Sequence, residues 1–573
     1  MIKDYVKIGT GFWRMIAACT ATAYCGSLLE PASAVSADAQ DESLRVGISQ
    51  EPGTLNPAVA TMQVETDAFA LLFNGLVRFD DHGKIIADLA TRVPSQQNGD
   101  ISPDGKTLTY HLNPRVKWQD GVPLTSKDVK FTYQAIMNPR TASSSRTGYD
   151  RITHIDTPDD HTVRISLNAP FAPAVADLFP NSAHGSILPA HLLRQYADLN
   201  RIDFATHPIG SGPYRLEKWD HGSELVFSAN HDYFRGAPRI ERIVWKILPD
   251  DQSKLNVLRT HELDLALNVS PNAYQIMGKF PGMHAETAAA TYTREHLVFN
   301  CRKDPLDDRR VRLALVNAMD PQAIFRKIYH GYGTLGPTDQ NPRSTWSNKG
   351  IAYYPYDVKK ADSLLDAEGW HRGSDGIRSK HGERLTLTFV TTGANQTRES
   401  TAVLLQDQWK QAGVEMNIKY FQPATLFAGA ANGGVIRSGN YDVALFSFVP
   451  SNPDPDDTNT IGPKKAPPDG NNFSFYSNPE VGRLQERALS TYGTTSREPF
   501  YDRIQKIMIK DVPDYTIIWK AEINVAADRL HGIRPAAVGS DFWNVETWSL
   551  SPDKKVSATE KTLSMRTTSR QRL

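Results

Sequence analysis

Stretches that alternate at period two and stretches with apolar residues at helical spacing follow one another along this chain, in both of its halves. Leu44-Arg45-Val46-Gly47-Ile48 reads as a half-buried strand halted by Gln50-Glu51-Pro52-Gly53, and 107–112, 162–167 and 385–390 alternate in the same way. Between them, Asp307-Asp308 opens a segment in which Val311, Leu315 and Met319 recur every four residues. Residues 358–367 and 402–412 form two more helical segments that stop before Gly369 and Gly413. Strands that alternate with helices must bury sheet faces under helices, so the expected fold class is α/β, with more than one lobe in a chain of 573 residues. No fixed-period repeat is present.

The ends differ from this body. Lys3, Lys7 and Arg14 precede an apolar stretch from Met15 to Leu29, and Pro31-Ala32-Ser33-Ala34 supplies small residues where a signal peptidase reads. The stretch is too short and too interrupted by Thr20, Thr22, Gly26 and Ser27 for a membrane anchor, which needs roughly 20 apolar residues. Residues 1–34 are therefore expected to be a secretory signal removed after Ala34, and the mature protein to be periplasmic. Ile16-Ala17-Ala18-Cys19 offers a competing lipoprotein reading, in which Cys19 becomes a lipid-anchored terminus. At the other end the residues from 551 onward are rich in Lys, Arg, Ser and Thr and poor in apolar side chains, so 557–573 is expected to be a disordered basic tail.

Charge and motif content exclude several function classes. Lys+Arg and Asp+Glu both count 64, which gives no global field for nucleic acid. Of the three cysteines only Cys301 survives signal removal, so neither an internal disulfide nor a multi-cysteine metal site is available. There is no phosphate-binding loop, no H-E-x-x-H, no G-x-S-x-G elbow and no G-x-G-x-x-G, and His154 and His161 lie apart from other ligands. A hydrolase would need a nucleophile, base and oxyanion donors at one of the usual spacings; an adhesin would show repeats or disulfides. Asp454-Pro455-Asp456-Asp457 lacks the Gly and closing Glu of a calcium loop and reads as a turn or loop cap. No catalytic residue, metal site or cofactor is expected.

Six punctuated blocks stand out: Arg115 through Thr125 with Asp128-Val129; His207-Pro208-Ile209-Gly210-Ser211-Gly212-Pro213-Tyr214; Asn230 to Pro238; Asp308 through Ala314 with Met319-Asp320; Tyr356-Asp357 through Gly369-Trp370; and Tyr441-Asp442 through Asp454-Pro455. Locally, Gly-x-Gly-Pro is expected to bend the backbone through positive φ at glycine, and Trp118 to be a core anchor beside a turn. In this order the blocks resemble the peptide/nickel class of ABC-transporter solute-binding proteins (family 5, oligopeptide- and dipeptide-binding) over about residues 44 to 550.

The resemblance implies a two-lobed periplasmic-binding-protein-like fold of class II, cluster C type, with an extra domain inserted in the first lobe. Lobe I is then expected from 35–65, 200–290 and 525–556, the inserted domain from 66–199, and lobe II from 291–524. The crossings at Thr291-Tyr292-Thr293 and Ile523-Asn524-Val525 would be the hinge. It also implies an extracytoplasmic receptor, not an enzyme, that captures a peptide or peptide-like solute between the lobes. It would act as a monomer and deliver the solute to membrane permease subunits, with no nucleic-acid partner. A non-peptide solute such as a sugar conjugate, opine-like compound or metal chelate is the alternative.

For the site, the resemblance points to Gln50, Glu51 and Pro52 after the first strand, and to Phe448, Ser451 and Asn452 after the strand 443–446. Arg398 is a candidate fork for a ligand carboxylate. Ser451 takes the place where peptide-binding members carry the Asp that pairs with a peptide amino terminus. A free amino terminus is therefore expected to be poorly served unless Glu51, Asp454 or another acid moves in.

Overall fold

The computed structural model describes residues 43–551 apart from 144, 184, 289, 290, 394, 429–432 and 451. The signal segment 1–34 with Cys19, the residue Ser451 and the tail 557–573 lie outside the described residues. Two sheets dominate. In the first, Ser43–Ile48 lies between Leu265–Ala266 and Arg242–Ile247, parallel to both. Glu224–Ala229 and Tyr214–Asp220 extend one side, and Glu522–Ala527 and Met283–Ala288 the other. The second sheet runs in the order Glu415–Phe421, Thr386–Thr392, Val443–Phe448, Arg294–Phe299, Asp514–Trp519. Helices cover both sheets, which are the centres of two α/β lobes.

Each lobe has its own apolar core, as alternating strand residues require. Leu44, Val46, Phe227, Trp245 and Leu265 pack in the first with Phe69, Phe73 and Trp548. Leu297, Leu387, Leu445 and Ile517 pack in the second with Leu315 and Trp409. A third core is built on the antiparallel strands Thr107–His111, Thr162–Leu167 and Ile152–Asp159. Here Leu108, Tyr110, Val163 and Ile165 enclose Trp118, which is 2% exposed and is a core anchor.

Packing near the expected borders is specific. The helix Gln63–Leu72 buries Ala68, Phe69, Leu71 and Leu72 in the same core as Leu44, Val46 and Trp548. Leu188, Leu193 and Leu199 return to that same core before 200. At the second crossing, Ile523, Asn524 and Val525 lie within the strand Glu522–Ala527, paired with Met283–Ala288. Only Lys520-Ala521 separates the two sheets there, because the antiparallel ladder continues down to Glu522.

The Gly-x-Gly-Pro block also departs from its expected reason. Neither Gly210 nor Gly212 has positive φ. They are glycines because the end of the helix Gln63–Leu72 lies against them: a Cβ on Gly210 would sit 1.7 Å from the Leu72 carbonyl oxygen, and one on Gly212 2.4 Å from that of Leu71. Gly212 N donates to Leu72 O at 2.9 Å across this contact. Close backbone approach, not turn geometry, selects the residue.

Candidate functional site

The two connections between the lobes run side by side. Thr291 N donates to Lys520 O and Lys520 N to Thr293 O, both at 2.9 Å, so the crossings form one short ladder between the sheets. So few residues are placed to absorb a rotation of one lobe against the other. Away from this ladder the lobes touch again, where His330 Nε2 is hydrogen-bonded to Asn272 Oδ1 at 2.5 Å and the rings of Tyr274 and Tyr332 meet edge to face at 5.4 Å. The inserted unit touches the second lobe as well: Ala172 N donates to Leu489 O at 2.7 Å, and the Tyr492 hydroxyl reaches the carbonyls of Gly105 and Phe171 at 3.0 Å.

Beside the crossings lies a cavity of about 50 Å³, lined by Tyr292, Arg294, Asp339, Gln340, Asn341, Phe448, Pro450, Asn452, 454–457, Thr460 and Trp519. The space holds a few water-sized groups. A smaller void of about 10 Å³ adjoins it through Arg294, Phe448 and Thr460 and is closed by His296, Phe446 and Asp514. Burial and the neighbouring Arg294 push the His296 imidazole well below its ordinary pKa, so this ring is neutral, and its Nδ1 has no hydrogen-bond partner among the described residues.

Of the residues anticipated from sequence, Phe448 and Asn452 line this cavity together. Phe448 lies under the Arg294 guanidinium, 5.8 Å from ring centroid to Cζ. Asn452 Nδ2 donates to Asp177 Oδ1 at 2.5 Å and so joins the second lobe's loop to the inserted unit. Ser451, between them in sequence, lies outside the described residues.

The other candidates stand elsewhere. Gln50 is exposed and Pro52 buried, and neither lines the cavity. Glu51 faces the turn between Tyr214–Asp220 and Glu224–Ala229, accepting from Trp219 Nε1 at 2.8 Å and from Gly222 N at 3.0 Å; His221 Nδ1 lies 2.9 Å away. Partial burial opposes its charge, but these hydrogen bonds hold its carboxyl below the ordinary pKa. Arg398 does fork onto a carboxylate, but onto one belonging to the protein: its Nε and Nη2 reach Glu295 Oε1 and Oε2 at 2.5 and 3.0 Å, and Nη2 also donates to Ser447 Oγ at 2.8 Å. It is buried rather than solvated, and does not line the cavity.

Asp454, named above as an acid that could move in, and residues that the sequence reading did not select complete the wall. The acidic run 454–457 does cap a loop, since Asp456 Oδ1 accepts from Thr458 N at 3.0 Å and from its hydroxyl at 2.5 Å. It also lines the cavity, which a turn-like composition conceals. Arg294 pairs with Asp514 through Nη1 at 2.6 Å and Nη2 at 3.0 Å, and Arg497 with Asp454 at 2.7 and 2.8 Å. Asp339 and Trp519 come from parts of the second lobe that had no signal beyond their residue type.

With this geometry in view, comparison with known proteins gives a consistent picture. Residues 84–462 match the model of bacterial extracellular solute-binding proteins, family 5 Middle. Protein XP55 of Streptomyces lividans is 30% identical over 498 residues, 86% of this chain and 86% of that one. Among solved structures, NikZ of Campylobacter jejuni in complex with Ni(L-His) superposes with a TM-score of 0.77 at 26% identity, over 89% of this chain and 99% of that one. The oligopeptide-binding protein AppA of Bacillus subtilis, in complex with a nonapeptide, gives 0.77 at 25% identity, with the same two coverages of 89% and 99%.

Proposed function

Because this chain belongs to the bacterial extracellular solute-binding proteins of family 5, we propose that it is the exported receptor of an ABC importer. It captures a peptide or peptide-like solute at the lobe junction and hands it to membrane permease subunits without transforming it. The observation that carries this reading is the cavity of the second lobe beside the paired crossings at Thr291–Thr293 and Lys520, whose wall residue Asn452 reaches Asp177 of the inserted unit. The likeness to AppA with its nonapeptide supports a peptide; that to NikZ with Ni(L-His) supports a small chelate as the second reading.

A cavity this small encloses the polar end of a solute, so the rest of a peptide needs the lobes to part about the crossings. Closure then contributes to affinity, since the bound state is favoured by its differential contacts with the closed lobes. The receptor works as a monomer in the periplasm after loss of 1–34, and lobe I, the inserted domain and lobe II act as the three moving parts. Melting the purified protein against a panel of peptides and chelates tests the reading. One solute at 100 times its Kd should add about 2.7 kcal/mol of stability and be recovered unchanged; turnover of that solute would make the protein an enzyme instead.

A further inference from the structure

Leu489 and Tyr492 belong to the second lobe by their place in the chain and to the inserted unit by their packing. They stand where the helix Pro479–Ser490 gives way to the helix Thr494–Asp511. Leu489 is 5% exposed and packs in the core built on the strands Thr107–His111, Thr162–Leu167 and Ile152–Asp159, with Tyr492 against that core. The Tyr492 hydroxyl lies 3.0 Å from both Gly105 O and Phe171 O, and Ala172 N donates to Leu489 O at 2.7 Å. Gly105 is so close that a Cβ on it would lie 2.3 Å from Tyr492 Cε2. One turn of the second lobe thus plugs a socket in the inserted unit.

The plug is lightly held. Its apolar part is one leucine and one ring, and bodies joined through a small contact are free to move against each other. A phenol carries a single hydrogen, so the Tyr492 hydroxyl cannot fully satisfy both of its carbonyls at once. The Tyr110 hydroxyl, fully buried in the same core, has no hydrogen-bond partner among the described residues, and it lies near enough to Tyr492 that charge there would oppose its own ionisation. A buried hydroxyl without a partner disfavours the seated state, because water admitted on withdrawal of the plug would hydrate it. The same two bodies meet again beside the cavity, where the wall residue Asn452 donates to Asp177 at 2.5 Å. Neither Leu489 nor Tyr492 lines the cavity itself.

We propose that the inserted unit is a clasp on the second lobe: seating of the Leu489–Tyr492 turn holds the two together, and its withdrawal is the step that frees Asn452 from Asp177 and opens the cavity. Lobe motion is then governed at two places, the ladder of Thr291 and Lys520 about which the lobes turn and the plug that keeps them from turning. Because the plug stands outside the cavity, its strength shifts the balance of closed and open forms by the same factor whatever the solute, and in the absence of any.

Hydrogen exchange read by mass spectrometry tests this on the purified protein without added solute. The Ala172 amide, whose partner is Leu489 O, reports on the seat. The amides of Asp454, Asp456 and Thr458, each held by a side chain of the same loop, report on the cavity wall. Tyr492→Phe, which removes the hydroxyl, and Gly105→Ala, which pushes the ring from its seat, should each speed exchange at both places at least about fivefold, the factor that corresponds to one net hydrogen bond. The strand Thr386–Thr392 should exchange as in the parent. Gly99→Ala is the control: it also places alanine at positive φ, +78° against +67° at Gly105, but nothing lies within 4 Å of its Cβ position. If Gly105→Ala fails to melt cooperatively, Tyr492→Phe decides. Faster exchange at Ala172 with the loop after Asn452 unchanged would mean local fraying and overturn the clasp, as would unchanged exchange at both places or a change in Gly99→Ala as large as theirs. None of these results bears on the receptor reading, which melting against solutes decides.

Discussion

Arg398 and Glu295 form a buried two-pronged ion pair, Nε to Oε1 at 2.5 Å and Nη2 to Oε2 at 3.0 Å, that ties the first turn of the helix Gln396–Gln411 to the strand Arg294–Phe299. The pair fixes a helix start against the strand that enters the second lobe from the hinge. Burial opposes the Glu295 charge, but Arg398, followed by Lys520 and Ser447, outweighs it and holds the carboxyl at about 2. A carboxyl lowered in the fold stabilises above its unfolded pKa, and that stability is lost as pH falls toward about 2.

Removing one partner leaves the other charge buried. Arg398→Met should therefore cost roughly 3–5 kcal/mol at neutral pH, read by urea denaturation, whereas Arg398→Met with Glu295→Leu should recover much of the loss. A single variant within 0.5 kcal/mol of the parent would show that the pair does not organise the lobe.

Asp67, on the helix Gln63–Leu72, behaves in the opposite sense. Burial first, and the nearby Asp541 second, raise its carboxyl to about 7 despite hydrogen bonds from Ser540 and Gln63. The folded protein thus holds a proton that the unfolded chain has released above about pH 4, and stability should fall as pH rises from about 4 to about 7. Asp67→Asn should leave the melting temperature nearly unchanged at pH 4 and raise it at pH 8, by a few kcal/mol of stability at most. Parallel pH profiles for parent and variant would contradict this.

The contact of Gly210 with the Leu72 carbonyl predicts a steric effect with no charge in it. A methyl group there meets backbone at 1.7 Å, so Gly210→Ala must displace the end of the helix Gln63–Leu72. A loss of about 1–3 kcal/mol is expected from overpacking. Gly222, with nothing near its Cβ position, is a poor control because its φ is +74°; a surface Ser→Ala change serves better. An unaltered melting temperature for Gly210→Ala would mean that the two segments are not in contact.

Export is tested by intact-mass analysis of protein recovered from the envelope fraction. A chain beginning at Val35 is expected from the Ala32-Ser33-Ala34 site. A chain beginning at an acylated Cys19 would favour the lipoprotein reading, and retention of Met1 would contradict both.

Much of the fold was legible in the sequence because it is written in local periodicity. The strands at Ser43–Ile48, Thr107–His111 and Thr162–Leu167, and the helix Val358–Ala367, follow from alternation and spacing alone. The helix predicted at 402–412 begins earlier, at Gln396, because Asn395 caps it by accepting from Arg398 N. The site was less legible. Phe448 and Asn452 could be found from the loop that carries them, but Asp339 reaches the same cavity from more than a hundred positions earlier, which no local pattern encodes. Arg398 shows the reverse case: a lone arginine near a helix start suggests a ligand fork, yet its carboxylate is Glu295, which sequence separation hides.

Native mass spectrometry of the protein, gently purified from its own envelope without added ligand, tests solute capture at the lobe junction most directly. The expectation is one small-molecule adduct per chain, released by denaturation and lost from a folded Thr460→Trp variant, whose indole would fill the cavity between Arg294, Phe448 and Asp457. A parent protein free of any adduct, or an adduct that survives Thr460→Trp undiminished, would contradict it.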